Sequence, residues 1–400
     1  MDKIGVGYAL VTDLEKKYVN MALDSGRLSP GPFVQKFERG FANLHNQRYG
    51  IACNSGTSSL HVALEALKEK YGWGSESEVL VPAITFIATS NAVMHAGMKP
   101  VFVDVDRYTY NIDPSKIEEK ITTNTVAIMP VHTFGQPCEM DPIVEIAQKH
   151  NLRIVEDCAE AHFAMYKGNP VASFSDIAGS STYVAHTITT GIGGVITTDD
   201  TELAEISRSL IAHGRACTCE TCIAYNSKQV CKLRMQTEMD KRFMMVRLGY
   251  SYRIGELEGA LGIAQLENKD LIMSARKRNA QYLTVGLEDL QEYLQLPFYP
   301  DYVEHSFMMY PIVIKNVDCF TREELVEYLE KRNIETRPML PLLNQPIYKE
   351  IFGDIESEYP VAKWINQNGF YVGCHHGLTN KELDEIIAAL HDFINIKRNG

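Results

Sequence analysis

The 400-residue chain lacks several features, and each absence excludes a class of protein. No apolar run approaches the roughly eighteen residues that cross a bilayer, and Met1 leads into no apolar signal segment, which argues against a membrane or secreted protein. An excess of basic charge is missing: the net charge is −12, so most of the surface would repel nucleic acid. Nine scattered cysteines are too few for a disulfide scaffold, and repeats are absent. We therefore expect a cytoplasmic globular protein.

Strand and helix patterns alternate over the first half of the chain. Strands are predicted at 49–53, 79–82, 100–104, 126–130 and 153–157, with helical patterns between them that include 113–121, and a further helix is predicted at 201–213. This order is typical of an α/β fold with a mostly parallel sheet covered on both faces. Ligands bind at the carboxyl ends of strands in such sheets. Gly56, Phe86, His132, Asp157 and His186 all fall at or just after such strand ends.

The last third of the chain has strands and helices without this regular alternation. Helices are predicted at 254–287, 322–331 and 380–396, and a strand at 307–314. We therefore predict a large domain over 1–251 and a smaller C-terminal α+β domain over 252–400.

One stretch, from Ser181 to Thr197, joins a β-branched run to a Gly193-Gly194 turn that leads into another strand. Such a layout holds a side chain, His186, on a short loop against closely approaching backbone. Together with the segments 54–57, 82–86, 155–157 and 248–253, this stretch resembles the sugar aminotransferases of the DegT/DnrJ/StrS family. In their order and spacing, the matching segments extend over nearly the whole chain.

The resemblance implies a fold-type I (aspartate aminotransferase-like) enzyme that uses pyridoxal or pyridoxamine 5′-phosphate and works as a homodimer with active sites at the interface. The cofactor phosphate would be held by Gly56, Thr57 and Ser181. Phe86 would stack on the pyridine ring, Asp157 would keep its nitrogen protonated, and Glu160 would contact the ring's face or hydroxyl edge. Ser251 replaces the Asn that the family usually has in the neighbouring subunit's grip on the phosphate, so this contact would be weaker or water-mediated.

His186 occupies the position of the family's lysine, which tethers the cofactor as a Schiff base and moves a proton. Imidazole forms no stable Schiff base but remains a competent general base. The histidine-bearing branches that this chain resembles are the CDP-6-deoxy-4-keto-glucose 3-dehydrases and the GDP-4-keto-6-deoxymannose 3-dehydratases. The implied reaction is removal of the C3 hydroxyl from a nucleotide-linked 4-keto-6-deoxy sugar, with His186 as the base. A catalytically silent sugar-binding or regulatory homologue is the alternative.

The cysteines decide between the two branches. The CDP-sugar enzymes carry an iron–sulfur cluster, and Cys158, Cys217, Cys219 and Cys231 resemble its ligands, with Cys222 a rival for the last place. A [2Fe–2S] cluster would pass electrons from a ferredoxin- or flavin-type reductase. A Cys₄ zinc site and free thiols are the alternatives. Without a cluster, the cofactor would be restored from glutamate.

The substrate side rests on the resemblance alone. Arg337, His375 and His376 match positions that line the sugar-nucleotide cleft in relatives. The nucleotide base and the sugar stereochemistry have no signature in the sequence.

Overall fold

The computed structural model describes residues 3–222, 230–235 and 239–399. The helices are α1 (Asp13–Asp24), α2 (Pro32–Leu44), α3 (Gly56–Tyr71), α4 (Ala88–His95), α5 (Met140–His150), α6 (Thr201–Leu210), α7 (Glu256–Glu267), α8 (Lys269–Gly286), α9 (Arg322–Glu330), α10 (Pro346–Phe352), α11 (Pro360–Asn368) and α12 (Asn380–Asn399). The strands of the large sheet are β1 (Tyr49–Cys53), β2 (Glu78–Pro82), β3 (Lys99–Val103), β4 (Thr125–Ile128), β5 (Arg153–Asp157), β8 (Ile177–Ser181) and β9 (Gly194–Thr198). The remaining strands are β6 (Met165–Tyr166), β7 (Asn169–Pro170), β10 (Leu294–Gln295), β11 (Val303–Glu304), β12 (Tyr310–Ile314), β13 (Arg337–Pro338) and β14 (Gly369–Val372).

The large sheet has seven strands in the order β1-β9-β8-β5-β4-β2-β3. β9 runs antiparallel to both of its neighbours, and the other pairs are parallel. β1 and β5 are buried at nearly every position, as expected for strands with helices on both faces. The predicted α/β class with a mostly parallel sheet is therefore confirmed.

Side chains fix the helices that lie nearest the site. Ser55 caps α3 by accepting a hydrogen bond from the Ser58 N–H at 3.0 Å. The Glu256 carboxylate on α7 accepts from the backbone N–H groups of Phe33 and Val34 at 3.0 Å, which satisfies the first turn of α2. Gly259 lets these two helices approach closely, because a Cβ there would lie 2.6 Å from the Val34 nitrogen.

Three predicted helices differ from the structure. Residues 113–121 form two short 3₁₀ turns, because Asp113 caps Ser115 and the next turn ends at Ile121 in extended backbone. The predicted helix at 201–213 ends at Leu210. The amphipathic stretch at 254–266 and the helical stretch that continues to about 287 are two separate helices, which meet at Asn268.

The C-terminal region has its own four-stranded sheet, ordered β10-β12-β14-β13. The chain's first residues join it: Ile4 forms a parallel bridge with Ile334 and packs in the core around this sheet. Val6, two residues later, packs in the core of the large sheet. The division at residue 252 stays a prediction, and α7, just after it, packs on α1 and α2.

Among the described residues, none of the helices has the length and apolar character needed to cross a membrane.

Candidate active site

A cavity of about 740 Å³ opens beyond the carboxyl ends of β1, β5 and β8. Eight of the predicted site residues line it: Gly56, Thr57, Phe86, Asp157, Glu160, Ser181, His186 and Arg337. These residues therefore lie at one edge of the sheet, as their positions near strand ends predict. The roles of these residues stay proposals.

The N-terminus of α3 and the end of β8 meet at one end of the cavity. Gly56 and Ser181 are so close that a Cβ on Gly56 would lie 2.6 Å from the Ser181 Cβ. The first N–H groups of a helix have no partner within the helix and attract anions. Together with the hydroxyls of Thr57 and Ser181, they form a polar end that fits a phosphate group.

Asp157 is buried at the end of β5 and keeps its carboxylate at the cavity wall. The Thr89 hydroxyl donates to Oδ2 at 2.7 Å, and the Ala159 N–H donates to Oδ1 at 3.1 Å. Burial raises the pKa of Asp157, and these two hydrogen bonds act against that rise. A protonated pyridine nitrogen would be a cationic partner for this carboxylate and would stabilise its charge in the buried site. Phe86, 60% exposed in the same cavity, offers a free aromatic face.

Glu160 lies on the same wall, and a strained turn holds it. Oε2 accepts a hydrogen bond from the Phe134 N–H at 2.6 Å, and Phe134 has a left-handed backbone with φ 58°. Burial, and the nearby charge of Asp157, raise the pKa of Glu160 to about 7.

His186 lies on the loop between β8 and β9, half-buried at the cavity wall. Its ring stands 6.4 Å from the buried His162 ring and 6.4 Å from the Tyr183 ring, between centroids. Burial and the positive charge of Arg276 lower the pKa of His186 to about 4. The imidazole is therefore neutral near pH 7 and able to accept a proton.

Three predicted site residues do not line this cavity. Ser251 is exposed outside it, bridged to Ala212. His375 and His376 lie behind Tyr8, which does line the cavity. The lining residues that the sequence argument missed include Tyr8, Thr89, Tyr183 and Tyr371. Thr89 lies three residues after Phe86 at the start of α4. This spacing is the one signal in the sequence that would have identified Thr89.

The predicted cysteine set is not brought together. Cys158 is buried among small side chains at the end of β5, and its N–H donates to the Gly179 carbonyl at 2.8 Å. Cys217, Cys219 and Cys222 line a separate cleft of about 160 Å³ beside β1, which is separated from β5 by two strands in the sheet order. Cys231 does not line that cleft, and part of the predicted cysteine segment, 223–229, falls outside the described residues. The [2Fe–2S] ligand set that includes Cys158 therefore stays a prediction.

Within the described ranges, one group of three metal-type ligands has its donor atoms within 4.8 Å of one another: His132, Glu156 and Cys158. The donor atoms of His132 and Glu156 are already used in hydrogen bonds. His132 Nε2 lies 2.9 Å from Glu156 Oε1, and the Cys138 N–H donates to Nδ1 at 3.0 Å. The Glu156 carboxylate also accepts two backbone N–H groups, at 2.9 and 3.0 Å. We interpret this group as a structural network under the site.

The fold and the cavity together define a class of enzyme. A mostly parallel sheet carries a phosphate-binding helix start, an exposed aromatic ring and a buried carboxylate at one edge. This is the donor set that pyridoxal phosphate requires, and the residues present fit that cofactor.

Comparison with known proteins identifies the family. Residues 10–391 match the model of the DegT/DnrJ/EryC1/StrS aminotransferase family, and the chain belongs to it. It is a member of a group of pyridoxal phosphate-dependent enzymes that modify nucleotide sugars. The expected family and fold class are thus confirmed.

The relatives include both transaminases and dehydratases. GDP-perosamine synthase of Caulobacter vibrioides is 35% identical over 98% of this chain and 98% of its own. The dTDP-4-dehydro-2,6-dideoxy-D-glucose 3-dehydratase of Saccharopolyspora spinosa is 33% identical over 97% of this chain and 86% of its own. A histidine-to-asparagine mutant of GDP-4-keto-6-deoxymannose-3-dehydratase with bound GDP-perosamine superposes with a TM-score of 0.86 at 27% identity, covering 97% and 100% of the two chains.

Proposed function

We propose that this enzyme removes the C3 hydroxyl of a nucleotide-linked 4-keto-6-deoxy sugar, using pyridoxamine phosphate that is held without a covalent tether. The observation that carries this proposal is the composition of the cavity wall. Among the described residues that line the cavity there is no lysine, and His186 is the residue that the resemblance puts at the family's lysine position. A transaminase that cycles through a lysine-bound cofactor would need that amine. The 3-dehydratases among the relatives and solved structures support the same reading.

Each residue of the cavity would have a role that follows from its chemistry. The bound cofactor would supply the amine that condenses with the keto group and a ring that takes up electrons. Asp157 would hold the ring nitrogen in its protonated form. The start of α3, with Thr57 and Ser181, would anchor the phosphate. His186, neutral at pH 7, would take the proton whose loss drives out the hydroxyl.

No step is assigned to an iron–sulfur cluster, whose ligand set stays a prediction. We infer instead that glutamate supplies the two electrons and restores the amine. A solved GDP-4-keto-6-deoxymannose-3-dehydratase at 26% identity holds a trapped PLP-glutamate geminal diamine, which supports this route. The alternatives for Cys217, Cys219 and Cys222, a zinc site or free thiols, stay open.

The active unit is proposed to be a homodimer. Leu248 is 97% exposed, and Phe243, Met245 and Val246 beside it are exposed as well. A contiguous apolar segment of this kind marks an interaction surface. Ser251 follows this segment directly, so a second copy seated there would bring Ser251 near its neighbour.

The test is the substitution His186→Asn, with His150→Asn on the surface as the control. Purified enzyme, pyridoxamine phosphate, glutamate and a 4-keto-6-deoxy nucleotide sugar are incubated, and the sugar is analysed by mass spectrometry. Wild type and control are expected to yield a product that lacks one oxygen atom. His186→Asn is expected to yield none while it binds the cofactor with unchanged affinity. Full activity in that variant would refute the assignment of the base.

The same experiment separates dehydration from transamination, which the GDP-perosamine synthase relatives represent. Transamination would replace the keto oxygen by an amine and leave the C3 hydroxyl in place. An amino sugar from the wild-type enzyme would therefore overturn the proposed reaction.

A further inference from the structure

Tyr8 is an aromatic side chain of the cavity wall that the proposed reaction does not use. It is 46% exposed, and it lines the cavity together with its neighbours Gly7 and Ala9. The segment that carries it runs against the loop of His186, since a Cβ on Gly7 would lie 3.3 Å from the Ala185 Cα. Tyr8 therefore borders the reaction site without belonging to the cofactor end.

The ring of Tyr8 is held in place from behind. It stacks on the His375 ring with 5.6 Å between centroids and 15° between planes, and His376 packs edge-on at 5.4 Å. Gly377 lies directly against the ring, because a Cβ there would come within 2.7 Å of it. His375 is itself fixed: its Nε2 lies 3.1 Å from the Gly5 carbonyl, and its own carbonyl accepts from Asn279 at 2.7 Å.

The same wall carries the cavity's positive charge. The bridge between Ile4 and Ile334 aligns the first residues with the segment that leads to Arg337, and the Val6 N–H donates to Glu335 at 3.2 Å. Arg337 forms an ion pair with Glu335. Among the described residues that line the cavity, Arg337 has the one guanidinium or ammonium group. The diphosphate of a nucleotide sugar would be drawn to it.

We propose that Tyr8 is the face on which the base of the nucleotide stacks, with the diphosphate at Arg337 and the sugar directed toward His186. The inference rests on the proposed function only in taking a nucleotide sugar as the substrate. A rigid, half-exposed aromatic face suits any base, because every base has a π-face. His375 and His376, predicted as substrate residues, act on this reading as positioning residues behind the ring.

The test is equilibrium binding of GDP, CDP and dTDP to the full chain loaded with pyridoxamine phosphate, followed by calorimetry. These probes have no sugar to react, so the result does not depend on whether dehydration occurs. Tyr8→Ala is expected to weaken the tightest of the three by about 5- to 100-fold, as removal of a stacking ring does. Tyr8→Phe keeps the face and is expected to bind as the wild type does. Inorganic pyrophosphate, which lacks a base, should bind Tyr8→Ala and wild type equally.

Tyr108→Ala, at an exposed tyrosine outside the cavity lining, is the matched control. Gly377→Ala is a second variant, because its added methyl displaces the ring without removing it, and it is expected to weaken the same probe. Three results would overturn the proposal: unchanged nucleotide affinity in Tyr8→Ala, an equal loss in Tyr8→Phe, or an equal loss for pyrophosphate. Wild-type protein that binds none of the nucleotides more tightly than pyrophosphate would also overturn it.

Discussion

A single side chain, His186, sets the acid–base behaviour of the site. Its pKa is lowered to about 4 by burial and by the charge of Arg276. The base is therefore available above that pH and is lost as the pH falls through it. We expect the acid limb of kcat/KM, which reports the free enzyme, to lie near pH 4. A limb near the ordinary histidine value would contradict this assignment.

The hydrogen bond from Thr89 to Asp157 is the second residue-scale feature with a measurable effect. Thr89→Val keeps the shape of the side chain and removes the donor that lies 2.7 Å from Oδ2. Hydrogen bonds to charged groups contribute about 1.5–3 kcal/mol, so the affinity for pyridoxamine phosphate should fall about tenfold or more. Fluorescence titration of the cofactor measures this directly. Asp157→Asn is expected to weaken binding further, and unchanged affinity in Thr89→Val would remove Thr89 from the site.

At the scale of elements, α3 and β8 can meet closely because Gly56 has no side chain. An alanine at Gly56 would place its Cβ 2.6 Å from the Ser181 Cβ, and both residues line the polar end of the cavity. The backbone shifts that relieve this overlap should lower the free energy of unfolding by about 1–3 kcal/mol and should weaken phosphate binding. Gly74→Ala, which meets nothing within 4 Å, is the matched control. Thermal unfolding and cofactor titration of both variants test the expectation.

Local sequence patterns predict most of the strands and helices near the large sheet, but they do not predict which distant residues pack against those elements. The buried strands and Gly-rich turns at residues 54–57 and 193–194 are visible because alternation and turn chemistry are short-range signals. The 3₁₀ turns at 113–121 are missed because a short helical pattern does not show whether an α-helix propagates. Tyr8 and Tyr371 are missed because they lie far along the chain from the strand ends at the cavity, in segments with no turn or alternation signal of their own.

The cysteine prediction, which groups Cys158 with Cys217 and Cys219, stays a prediction for a related reason. Spacing along the chain does not give the order of strands in a sheet. Here β8 and β9 lie between β5, which precedes Cys158, and β1, which borders the cleft of Cys217 and Cys219. Motifs whose members all follow carboxyl ends of strands are safer, since the fold itself gathers them.

At the scale of the whole molecule, buried histidines make the stability depend on pH. His45 is fully buried, and burial lowers its pKa to about 4. The unfolded chain binds its proton near the ordinary value of about 6.5, so this stability is present above pH 6.5 and is lost as the pH falls toward 4. Between pH 7 and pH 5, His45 should lower the free energy of unfolding by about 2 kcal/mol.

The measurement is urea unfolding of wild type and His45→Phe at pH 7 and pH 5. The variant is expected to lose less stability than the wild type over this interval. Glu38 and Glu160, whose pKa values burial raises to about 7, act in the opposite sense in both proteins and cancel in the difference. Equal losses would contradict a neutral, buried His45.

The first residues of the chain join two cores. Ile4 packs in the core of the C-terminal sheet, and Val6 packs in the core of the large sheet. A segment that short cannot loosen from one core without straining its contacts with the other, so it should couple the melting of the two regions. The intact enzyme is then expected to unfold in a single calorimetric transition. Cleavage just after Tyr8 should divide that transition into two.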